Sequence, residues 1–305
     1  MTSATSSDDA YRPSLGSRFM IAFMRGLGRL PLRWVRALGW LLGQVLYTLA
    51  RRRRHIALVN WRLCFPQDTP VQARRAIRRH FVYFAQSWLD RGWLWEAPPE
   101  VVRRRLRLLG DLSVLDNGKP TILFAAHFLG MDAGWTALTA NVQRKFCGIY
   151  TRQVNPDIDR WIFRGRKRFG VSRDVAKSDG FRPLVAALRA GEPIYILPDM
   201  DFGPRDSVFV PFFGNLAATV PSLSRLARMG RAQVVPVISR MTDEGYDVTV
   251  MAPWADFPSD DVVADTARMN HELEAYIRTM PEQYYWVHKR FKTRPEGEPY
   301  PYGRR

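Results

Sequence analysis

Cys64 and Cys147 are the only cysteines in 305 residues. That scarcity excludes a disulfide-built scaffold, and their separation fits no metal-ligand spacing, so a reducing compartment is the expected setting. Histidine is sparse as well. His55, His80, His127, His271 and His288 contain no i, i+3 or i, i+4 pair, which excludes a helical zinc site, and neither metal nor cofactor is expected. No serine stands in a G-x-S-x-G elbow and no glycine-rich phosphate loop is present. Acidic residues number 29 against 46 basic ones, a formal net charge of +17. This balance predicts attraction to an acidic partner, whether nucleic acid, anionic lipid or protein. Long charge-free apolar runs are lacking near the N-terminus: the stretch from Ala37 to Ala50 is too short to cross about 30 Å of hydrocarbon as a straight helix.

What is present points to a folded chain, since 46% of residues are hydrophobic and 12% aromatic. Residues 1–12 are small and polar and read as disordered. Residues 13–54 read as an N-terminal membrane-associated helical segment. Arg25, Arg29, Arg33 and Arg36 flank its apolar run on one side and Arg51 to Arg54 on the other, with Trp34, Trp40 and Tyr47 suited to an interfacial belt. Two arrangements fit: amphipathic helices in the headgroup layer, or one tilted span. A cleaved signal peptide is not expected, because no small-residue cleavage site follows the run.

Beyond it, helical spacing covers Thr69 to Trp95, and Pro98 to Gly110 reads as a short helix stopped by glycine. Strands are expected at Thr121–Ala126, Lys145–Thr151, Pro193–Pro198 and Gln233–Ser239, with an edge strand at Tyr246–Ala252. Helices at Asn155–Gly170, in "FRPLVAALRAG", in "TVPSLSRLARMG" and at Asp260–Pro281 alternate with them. Alternation of this kind implies an α/β fold with a mainly parallel sheet.

"FAAHFLGMDAGW" places His127 just past a strand and Asp132 where the next helix begins. A neutral imidazole is the usual general base near pH 7, and a carboxylate on its other ring nitrogen fixes the tautomer. With no serine elbow, the nucleophile is expected to be a hydroxyl on the substrate.

The sequence resembles the late acyltransferases of lipid A biosynthesis. "HFLGMD" matches that family's HxxxxD/E motif, although many members carry "HFGNWE" there. "TRQVNPDIDRWIFRGR", "LPDMDFGPRDSVFVPFFGNLAAT" and "PEQYYWVHKRFKTRPEG" match further blocks in family order. The resemblance implies a glycerolipid-acyltransferase-like sheet flanked by helices, with residues 55–305 as the acyltransferase domain. It implies transfer of a fatty acyl chain from acyl carrier protein to a 3-hydroxyl on the Kdo-lipid A precursor, at the cytoplasmic side of the bacterial inner membrane. His127 would be the base, Asp132 its orienting acid, and Arg164, or after it Arg166, the stabiliser of developing negative charge or the holder of a lipid phosphate. Arg166, Asp199, Asp201, Arg290, Lys292 and Arg294 would bind substrate. Acyl carrier protein and lipid A phosphates are both acidic, which gives the positive charge a use. A same-fold enzyme for another lipid, such as ornithine lipid or phosphatidylinositol mannoside, is the alternative. A nucleic-acid binder is not expected, as no helix-turn-helix, RRM or KH signature occurs.

Overall fold

The computed structural model describes residues 14–205 and 207–303; the disorder expected for residues 1–12 falls outside them. Thr69 and Gln72 form a capping box, with Gln72 N–H donating to Thr69 Oγ1 (3.3 Å) and Thr69 N–H to Gln72 Oε1 (2.8 Å). Pro at the first position completes the start, worth about 1 kcal/mol. From there α4 runs unbroken over Pro70–Glu96, and it is the helix on which the N-terminal region lies.

That region is two helices broken at Pro31, namely α1 (Leu15–Gly28) and α2 (Leu32–Leu49), followed by α3 (Arg51–Cys64). No helix among the described residues is long and apolar enough to cross a membrane. Arg36, grouped above with the flanking arginines, instead enters the protein. Its guanidinium lies 2.9 Å from the fully buried Asp90 of α4, which also accepts from Trp93 Nε1 and Tyr246 Oη.

The helix expected through Gly110 stops early. After α5 (Pro99–Arg105), Leu106–Gly110 is β1, parallel to β9 (Gly245–Val250). Consequently β9 is interior and β1 is the edge. The remaining strands are β2 (Thr121–Phe124), β3 (Lys145–Tyr150), β4 (Val171–Ala176), β5 (Ile194–Ile196) and β8 (Gln233–Thr242). They form one sheet ordered β1-β9-β8-β2-β5-β3-β4, parallel throughout except for β8 against β9. A separate hairpin, β6 (Val208–Phe212) with β7 (Asn215–Thr219), was not foreseen, nor was β4.

Helices α6 (Met131–Asn141), α7 (Pro156–Arg166), α8 (Arg182–Arg189), α9 (Ser222–Gly230) and α10 (Val262–Thr279) complete the layers. Successive residues of β2 face opposite ways, so Ile122 and Phe124 enter a core with α8, α9 and α10. Leu123 and Ala125 enter a second core with α6 and α7. Burial on both faces explains why "TILFAA" reads as a continuous apolar run.

Candidate active site

In an open parallel sheet, chemistry gathers beyond the carboxyl ends of central strands. Here β2 and β5 are neighbours, with Phe124 opposite Ile196. His127 lies three residues past Phe124 and Asp199 three past Ile196, so matched register carries the two side chains together across 72 positions of sequence.

The imidazole Nδ1–H donates to Asp199 Oδ1 at 2.7 Å, and the His127 backbone N–H reaches both carboxylate oxygens at 3.1 and 3.2 Å. Tyr284 Oη–H donates to Oδ2 at 3.0 Å. Burial would raise the Asp199 pKa, but His127 and these donors outweigh it and hold the carboxyl below its usual range. Nδ1 being committed, Nε2 is the ring nitrogen left for substrate. The His127 loop is fixed from the far end of the chain: Tyr285 N–H donates to the His127 carbonyl and Leu129 N–H to the Gln283 carbonyl, both at 2.9 Å.

Asp132 therefore does not orient His127, contrary to the sequence expectation. It occupies the first turn of α6 and turns toward α4 and α7. Arg91 Nε donates to its Oδ2 and Arg166 Nε to its Oδ1, each at 2.8 Å. Burial would raise this carboxyl too, but the two guanidinium groups lower it. Arg164 and Arg166, the two arginines expected to serve the site, face different ways. Arg164 is exposed in the last turn of α7, whereas Arg166 points inward. Gly165 between them sits against the Trp95 ring, where an added Cβ would come within 2.3 Å, and this contact fixes the rotation of α7.

The C-terminal candidates divide similarly. Asp201 is wholly buried and accepts from Gly203 N–H and from Thr293 N–H and Oγ1, so it ties the strand-end loop to the C-terminal block. Arg290, also buried, donates to the Ala218 carbonyl (2.9 Å) and Thr219 Oγ1 (2.8 Å) and covers the Phe212 ring. Arg294 is held by the Leu216 carbonyl and Glu298. These three staple the β6–β7 hairpin and its surroundings, a structural use in place of the substrate contact expected. Lys292 stays nearer the site, its charge bearing on both His288 and Lys177.

His127 opens onto a cavity of about 510 Å³. Ile149, Val175, Phe181, Leu184 and Met200 make its wall apolar, and His288, Tyr285 and Lys177 also line it. His288, named above only as one of five scattered histidines, is a cavity residue that the sequence did not single out. Burial first, and then the neighbouring His127 charge, push its pKa down to about 4, so it is neutral at pH 7. Its Nε2 is sealed from water without a partner. Of the apolar residues that flank the motifs, Phe202 does line the cavity, while Phe128 and Phe212 are core.

The arrangement is an imidazole with a buried carboxylate partner at the mouth of an apolar hole. Comparison with known proteins places the whole chain in a family. The model of the bacterial lipid A biosynthesis acyltransferase family matches residues 12–293. A lipid A biosynthesis lauroyltransferase of Escherichia coli K12 is 33% identical over 277 residues, 89% of each chain. A myristoyltransferase of the same strain is 31% identical over 296 residues, 95% of this chain and 91% of that one. A palmitoleoyltransferase, also of that strain, is 31% identical over 274 residues, 86% of each.

Proposed function

Because the chain belongs to the bacterial lipid A biosynthesis acyltransferase family and is an acyltransferase, we propose that it moves a fatty acyl chain from acyl carrier protein to a hydroxyl borne by an acyl chain of the lipid A precursor. The setting is the cytoplasmic face of the inner membrane. His127 Nε2 takes the proton of the acceptor hydroxyl as the oxygen attacks the thioester carbonyl. The charge passes to the carbonyl oxygen. Collapse breaks the C–S bond, the imidazolium returns its proton to the departing sulfur, and ester and thiol are the products. Asp199 keeps the proton on Nδ1 and stabilises the imidazolium.

The observation that carries this reading is the Asp199–His127 pair at the mouth of an apolar cavity. A water-filled polar cleft would suit a small soluble acceptor; an apolar hole suits a hydrocarbon chain. The family supports a lipid A precursor as acceptor, and the excess of arginine supports an acidic carrier as donor. Asp132 positions α6 against α4 and α7 by holding Arg91 and Arg166.

The test is mass spectrometry of Kdo-lipid A precursor incubated with the enzyme and a panel of acyl carrier protein thioesters. A gain of one acyl chain is expected, and it should vanish with His127→Ala while the melting curve is retained. No gain with any donor, alongside acylation of a different lipid such as ornithine lipid, would sink the acceptor assignment. Retained turnover by His127→Ala would sink the base.

A further inference from the structure

Residues 14–67 contain ten arginines, no lysine and no acidic residue. On α1, Ile21, Met24 and Leu27 are buried, leaving Leu15, Phe19 and Phe23 in an i, i+4 row on the outside, Phe19 being 76% exposed. On α2, Val35, Gly39 and Gly43 are buried, and Trp34, Leu38, Leu41, Val45 and Leu49 form the outer row, with Trp40 beside it. Trp34 is 58% and Leu49 73% exposed. Apolar surface this continuous on two consecutive helices marks something to be covered.

The inner row shows what α2 cannot do. A Cβ at Gly43 would meet Val82 Cα at 2.5 Å, and one at Gly39 would meet Gln86 Cα at 2.9 Å, so the two glycines seat α2 directly on the α4 backbone. Arg36 then locks the contact through the buried Asp90. To cross a bilayer, α2 would have to abandon that ion pair or take α4 with it, including the exposed Arg74, Arg75, Arg78 and Arg79 region.

We infer that α1 and α2 lie flat in the headgroup layer of an anionic bilayer, their outer apolar rows dipped into it and their arginines at phosphate level, so that the protein is attached to one leaflet and does not span. The occupant follows from charge. A second copy of this face would set the exposed Arg18, Arg25, Arg29 and Arg33 against the same four, with no carboxylate on either helix, whereas anionic lipid supplies the missing counter-charge. The inference rests on the membrane setting proposed above and adds how the site meets it. Ser14 N–H donates to Asp157 Oδ2 at 3.1 Å, and Asn155 Nδ2 to Ser17 Oγ at 3.5 Å, which joins the start of α1 to the loop before α7. That loop carries the fully exposed Val154 and reaches Thr151 on the cavity wall. The loop thus links the start of α1 to the wall of the cavity that His127 shares.

Two measurements that read no catalysis test this. First, the full chain is floated with phosphatidylglycerol-containing or phosphatidylcholine vesicles. Binding should favour the anionic vesicles by at least about tenfold, and Trp40→Glu with Leu41→Glu should lower it by a similar factor. Leu49→Glu serves the same purpose should the double variant melt early. Equal binding to both vesicles, unchanged binding by the variants, or a dimer in place of vesicle binding that the same changes dissociate, overturns it. Second, Arg33→Cys and Thr48→Cys mark the two ends of α2, Cys64 and Cys147 being buried. A membrane-impermeant maleimide should reach both in inverted inner-membrane vesicles and neither in spheroplasts. Labelling from opposite faces means a span and overturns the inference alone. Vesicle binding without acyl transfer overturns only the proposed reaction.

Discussion

Two buried carboxylates flank this site and do opposite things. Asp199 faces an imidazole, a side chain that can both accept and donate a proton. Asp132 faces two guanidinium groups, which never lose theirs. Both carboxyls are held below the usual carboxylate range, and both are nearly inaccessible. Burial and charge therefore do not separate the acid of the proposed relay from a structural one. The partner does: a titratable neighbour makes a proton relay, and a fixed cation makes a clamp.

That contrast is sharpest in Asp199→Asn. The amide keeps the volume but can present its N–H to Nδ1, favouring the wrong tautomer, so kcat should fall on the order of 10⁴-fold with the fold intact. A near-normal rate in the acyl-transfer assay would erase the difference between the two carboxylates. Asp132→Asn should instead show itself in stability. Removing one member of a buried cluster costs about 3 kcal/mol, the low end of the usual range because the Arg166 side chain is 31% exposed. Thermal melting measures this, and the folded fraction should keep the wild-type shape of the pH–rate profile. A changed profile would mean Asp132 acts on the base after all.

Acid should separate the regions again. The folded-state pKa of His80 is lowered from 6.5 to about 4, by burial only partly offset by its hydrogen bond to the Glu282 carbonyl. The unfolded chain thus binds more protons between these values, and stability, full above about 6.5, declines as pH falls toward 4. His288 adds to the same window. Asp132 and Asp199, both lowered from 3.8, keep their contribution until pH falls below that value. Melting temperature against pH should therefore drop in two stages, and His80→Asn should flatten the upper one. The smallest effect is expected from Tyr284→Phe, which removes one donor from Asp199 and should slow turnover by about tenfold. No change there would show that the backbone and imidazole donors suffice.

Much of this was legible in sequence wherever the signal is local. The α4 start, the Asn155 cap of α7 and the strand leading to His127 all lie within a few residues of their cause. The His127 partner was not local. It depends on which strand lies beside β2 and in what register, and "PDMD" offers two aspartates with nothing nearby to choose between them. Arg164 and Arg166 lie two positions apart, about 200° around the helix, so choosing between them required knowing that Gly165 meets Trp95. Arg36 and Arg290 were misjudged for another reason: a buried arginine looks in sequence like a surface one unless its pocket is known. "RLRLLG" continued an amphipathic pattern that only pairing with β9 resolves into a strand.

The tether between His127 and Tyr285 has a consequence during synthesis. A ribosome that has made every residue up to 282 has made a His127 loop without its bonds to Gln283 and Tyr285, and an Asp199 short of its Tyr284 donor. On the proposed mechanism, catalytic competence would arrive late in translation, and a polypeptide cut off before that point should be inert toward the proposed acceptor, however complete its sheet.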